Sequence, residues 1–264
     1  MISIIKSNFI MRMNKTNIRL LELIGLYTII GIYLFMDRVY LERMHANITD
    51  IFLSIYNGKV YSNSVNAVSW FIRCAVILFI INNRKSDIKE FKLMQINRCR
   101  TKGVFYFCDI ISIIVIVAIY VIFNYLIVRI AAFLMSMNNN NWSDFSKEYF
   151  IYFSKSNLSP NEVLIYMMTI MFTGLLAMIG VFLFLNSMIK NKVKSFFLFF
   201  MLGIIFYVIY GLGHIHRIFS FMNYPSLSGL DLNRNCLLYE NFRNLGIFIV
   251  SSFLALISIR KDYI

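Results

Sequence analysis

Residues 104–128 read VFYFCDIISIIVIVAIYVIFNYLIV, an apolar run whose single charged side chain is Asp109. As a helix at about 1.5 Å per residue this run exceeds a hydrocarbon core of about 30 Å, which roughly 20 apolar residues span. The rest of the chain agrees with that reading. Of 264 residues 59% are hydrophobic and 15% charged, with a mean hydropathy of +0.68, where a soluble domain is nearer half and a quarter. Two prolines and eleven glycines leave little material for a loop-rich fold. Five further apolar segments lie at about 20–36, 65–82, 163–189, 195–213 and 244–259. The expected fold is all-α: one polytopic membrane domain over 1–264 with six transmembrane helices. A soluble enzyme is excluded.

Charge then sets the direction of the spans. The net charge of +13 would suit a nucleic-acid binder, but its distribution gives a different meaning. The segments 1–19, 83–103, 190–194 and 260–264 hold sixteen cations and three anions, whereas 37–64, 129–162 and 214–243 hold nine cations and eight anions. Cytoplasmic loops gather Lys and Arg, so both termini are expected in the cytoplasm of a multi-pass cell-membrane protein. The excess charge is topological and no nucleic-acid partner follows. Residues 1–19 lack the compact apolar core and small-residue site of a signal peptide. Ile2, Ile5, Phe9 and Met13 recur at helical spacing, and Lys6, Arg12 and Lys15 fall largely on other faces. That pattern predicts an amphipathic interfacial helix. The only low-complexity stretch is Asn138–Asn141, on an outer loop.

No phosphate-cradling G-x-x-x-x-G-K-[ST], no H-E-x-x-H and no G-x-S-x-G occurs, so neither enzymatic chemistry nor a cofactor is expected. His214-Ile215-His216 lacks a third ligand and reads as interfacial, so no metal site is expected. Cys74, Cys99, Cys108 and Cys236 show no paired spacing and read as inert thiols. Charge inside spans is expensive, which singles out Arg73 in the second span and Asp109 in the third. Their depths permit an intramembrane ion pair; the other reading has Arg73 snorkelling or facing water. Thr173, Gly174, Ala177 and Gly180 form a small-residue strip, the mark of close helix packing.

The inner segment 83–103 includes RKSDIKEFKLMQINRCRTKG. Ile88, Phe91 and Met94 fall at helical spacing among seven cations, a pattern for a surface helix that also meets anionic lipid. With six spans, an interfacial N-terminal helix and internal termini, the chain resembles the permease subunit of an ABC-2-type ABC transporter. Glu90-Phe91-Lys92-Leu93-Met94-Gln95-Ile96-Asn97-Arg98, followed by Lys102 and Phe105, is similar to that family's coupling segment. The ending Ile257 to Asp262 is similar to its frequent basic-Asp close. Gln95-Ile96-Asn97 departs from the family's commoner proline-containing step.

The resemblance implies that Ile88, Glu90, Phe91, Met94 and Arg98 couple the permease to a separate cytoplasmic ATP-binding subunit. It also implies a second permease copy or paralogue as partner. Permeases of this length are similar to those that remove lantibiotics, bacteriocins or other amphipathic peptides from the membrane. The alternative is a non-transporting immunity or assembly factor, for which 83–103 would be a lipid anchor.

Overall fold

The computed structural model describes residues 2–56, 64–83, 102–135, 137, 141–189, 191–212, 224 and 233–261. Among the described residues ten helices follow in order: α1 (Ile2–Arg12), α2 (Lys15–Leu41), α3 (Ile48–Tyr56), α4 (Ser64–Asn82), α5 (Lys102–Leu134), α6 (Asp144–Tyr149), α7 (Ile151–Ser154), α8 (Pro160–Ile189), α9 (Lys192–Gly211) and α10 (Arg234–Lys261). No strand occurs among the described residues. By length and composition α2, α5, α8, α9 and α10 can each cross a membrane, and α4 adds a shorter apolar stretch at Phe71–Asn82. This is an all-α, multi-pass membrane architecture.

Side-chain caps start several of these helices. Asn14 accepts the Asn17 amide at 2.9 Å before α2, and Asn191 accepts those of Val193 and Lys194 before α9. Before α8, Ser159 and Glu162 exchange backbone-to-side-chain bonds while Pro160 takes the first helical position, a capping box with proline where its missing N–H costs nothing. α10 begins ten residues before the apolar segment 244–259, because Arg234, Asn235, Glu240, Asn241 and Arg243 interrupt the apolar residues of its first turns.

Helix boundaries gather at two ends of the bundle. At the basic end Tyr106 donates to the Ser252 carbonyl at 3.2 Å, and Ser258 to that of Ser187 at 3.4 Å. At the loop end Thr49 reaches the Pro160 carbonyl at 2.9 Å, and Asn47 that of Asn141 at 3.1 Å. α1 and the last turn of α10 share the basic end.

The small-residue strip of α8 packs against α10. A Cβ added to Gly180 would lie 2.5 Å from Ser251 Oγ and 3.2 Å from Phe248 Cα, so only glycine permits this approach. One helical turn or two away, Thr173 donates to Asn241 at 2.8 Å.

Two expectations need correction. The outer segment 37–64 is not simply a loop, because it contains α3, whose Ile51, Phe52 and Leu53 are fully buried. In α1, Ile4, Asn8 and Arg12 turn inward and the Ile5 carbonyl accepts from Ser112 at 3.1 Å. Ile5, Phe9 and Met13 are only half-buried, and Ile2 and Ile10 are exposed. Asn8 and Arg12 turn inward because α4 and α5 offer Arg12 partners that a lipid surface lacks, while Ser3 and Lys6 stay exposed.

Candidate functional site

α3 is a nine-residue helix, about 14 Å long and so half the thickness of a bilayer core. Its amino end is clamped at the loop end of the bundle. Asn47 N donates to Asp50 Oδ2 at 2.8 Å and Asp50 N to Asn47 Oδ1 at 2.9 Å, a reciprocal cap. Ser143 and Ser146 each donate a hydroxyl to the same carboxylate, which ties α3 to α6. Burial pushes the Asp50 carboxyl above its ordinary range, against the pull of the two serines and the Asn47 amide.

The carboxyl end of α3 reaches the middle of the bundle. There Tyr56 donates to Asn124 Oδ1 at 2.7 Å, and Asn124 donates to the Tyr120 carbonyl at 2.7 Å. The Tyr56 ring faces the guanidinium of Arg73 at 4.7 Å, and Tyr27 faces it at 5.1 Å. Arg73 Nη1 donates to Thr28 Oγ1 at 2.9 Å, and Tyr120 donates to the Arg73 carbonyl at 3.4 Å. Four helices, α2 to α5, thus converge on one side chain that is 2% exposed.

Arginine stays charged at any ordinary pH, yet among the described residues no carboxylate pairs with Arg73, and its Nε has no hydrogen-bond partner. The ring faces of Tyr27 and Tyr56 and the Thr28 hydroxyl stabilise the cation. None of them neutralises it.

Arg73 and Asp109 are therefore not the ion pair expected from their depths. Asp109 pairs with Arg12 at 2.8 Å, and Arg12 also donates to the Ile81 carbonyl. Arg12 thus places Ile81 level with Asp109, so α4 ends well short of the basic end of α5. Arg73 lies beside Tyr120, eleven residues and about 16 Å along α5 from Asp109.

Sequence reasoning missed Thr28, Tyr56, Asn124 and Arg12. Thr28 and Asn124 were visible as polar positions inside spans, and Asn47 with Asp50 was the cap signal for α3. The proposed coupling residues Ile88, Glu90, Phe91, Met94 and Arg98 lie outside the described residues, as do His214, His216 and Cys99. Cys74 and Cys108 are buried free thiols, and Cys236 is partly exposed. The sequence matches no family model, no curated protein and no solved structure.

Proposed function

We propose that the chain is the membrane-spanning permease subunit of an ABC-type exporter that moves an amphipathic peptide out of the cell membrane. A separate cytoplasmic ATPase powers it, docked on Ile88 to Arg98, and a second permease copy or paralogue completes the pore. Both termini are cytoplasmic in this reading, and the basic end of the bundle is the cytoplasmic one.

The observation that carries the proposal is the half-length helix α3, whose Tyr56 ring meets a buried Arg73 that pairs with no carboxylate among the described residues. Membrane transporters place broken helices around central binding sites, where helix ends and polar side chains meet a charge. An ionisable residue at that depth is costly unless it is used. A purely structural bundle would gain by carrying an apolar side chain there.

The test follows a fluorescent amphipathic peptide loaded into the membrane of host cells. Cells carrying the protein should lose the label in an energy-dependent way, and Glu90→Ala with Phe91→Ala should abolish that loss while membrane insertion persists. Protection from the peptide without any loss of label would favour the non-transporting immunity factor and overturn the proposal.

A further inference from the structure

Two helix carboxyl ends meet at the loop end of the bundle, and both finish in the same manner. α2 stops with Arg43 in the left-handed region at φ 54°, and the Met44 amide turns back to the Val39 carbonyl at 3.1 Å. α5 stops with the Met137 amide on the Ala132 carbonyl at 3.0 Å and that of Met135 on Ala131 at 3.1 Å. The long reach-back bonds are those of Schellman terminations. Each therefore fixes a thioether-bearing residue just beyond the last turn.

Met36, Met44, His45, Met135, Met137 and Trp142 line one cavity of about 550 Å³. Methionine ordinarily fills gaps in cores, and Met36, Met44 and Met137 do pack against the edge of the core, yet all four also line the open cavity. Met135 is 42% exposed, and Met36, Met44 and Met137 are half-buried around the opening. The His45 ring is exposed and makes no hydrogen bond or ion pair among the described residues, although its carbonyl is held by the Phe145 amide at 3.1 Å. Trp142 is fixed by its indole N–H on the Leu158 carbonyl at 3.1 Å.

The chemistry of this donor set is selective. Thioethers and imidazole are soft neutral ligands that suit Cu(I), whereas harder ions prefer oxygen. The Trp142 ring adds an aromatic face, and Asp144 is the one carboxylate in the lining. Zinc is poorly served, because no group of three or more His, Cys, Asp or Glu among the described residues could hold a metal.

We propose that this cavity binds a soft monovalent metal ion, Cu(I) or its redox-inert analogue Ag(I), through Met44, Met135, Met137 and His45. The site is separate from Arg73 and does not depend on the permease reading.

The test uses the full chain in detergent, with accessible thiols blocked by N-ethylmaleimide. The sequence has two tryptophans, so Trp70→Phe leaves Trp142 as the sole reporter. One equivalent of Ag(I), or of Cu(I) buffered by a chelator, should quench Trp142 fluorescence, and Zn(II) should not. Met135→Leu with Met137→Leu should weaken binding at least 100-fold with an unchanged melting temperature, and His45→Ala about 10-fold. Met188→Leu with Met201→Leu, at exposed positions of α8 and α9, should change nothing. Absence of quenching at micromolar ion, or equal losses in the two methionine pairs, would overturn the proposal. Should the Met135/Met137 variant fail to fold, His45→Ala alone decides, because that ring is exposed and unbonded.

Discussion

The two halves of the bundle differ in what their helices hold between them. In the α8–α10 half, glycine and other small residues let backbones approach, and Gly180 rests directly on Phe248 and Ser251. In the α2–α5 half, Gly25 likewise rests on Phe123 within an apolar core, but buried polar side chains also meet there, with Arg73, Tyr56, Thr28 and Asn124 linked through the centre and Arg12 of α1 on Asp109 at the base. Lipid tails are as apolar as leucine, so helices in a membrane associate through close packing or polar bonds rather than burial. Close packing has one good arrangement. A polar cluster around a charge that pairs with no carboxylate among the described residues has competing ones, which suits the α2–α5 half to the movement that the proposed transport requires.

Three perturbations separate these modes. The largest effect is expected at the base of the polar half. Arg12→Ala removes the ion-pair partner Arg12 from the Asp109 carboxylate, only 14% exposed, and should cost about 3–5 kcal/mol. Thermal melting in detergent reads this, and a double-mutant cycle should show strong coupling for Arg12 with Asp109 and none for Arg73 with Asp109.

A smaller loss is expected in the packed half. Gly180→Leu forces α8 from α10 and should cost about 1–3 kcal/mol. Gly246→Leu, which meets nothing within 4 Å, should be silent in the same melt. Equal losses at the two glycines would remove the distinction between the halves.

The smallest effect concerns the clamp on α3. Burial raises the Asp50 carboxyl above its ordinary 3.8, so the folded chain takes up this proton before the unfolded one. Stability from this group is full below about 3.8 and is lost as pH rises through the raised value. The melting temperature of the wild type, relative to Asp50→Asn, should therefore climb as pH falls from 7 to 4.

The long spans were legible because an apolar run of sufficient length has no other stable home, and the Gly180 strip was legible from its spacing. α3 was not, because nine residues cannot cross a bilayer and the charge count assigned them to a loop. The Asn47–Asp50 cap ahead of Ile51-Phe52-Leu53 was the local sign of it. The pairing of Asp109 was hidden for a different reason. Depth along a helix is counted from its own end, and no local pattern reveals that α4 stops level with Asp109. Arg12, 97 residues away in sequence, reads locally as one more basic residue of an amphipathic turn.

The central claim is that Arg73 serves transport rather than the fold. Its most direct test is Arg73→Met, assayed for both energy-dependent loss of a membrane-loaded peptide and melting temperature. The account predicts that peptide loss falls at least 10-fold while stability stays within about 1 kcal/mol, since an apolar side chain of similar size replaces a buried charge at little cost. Retained export, or export and stability falling together, would contradict it.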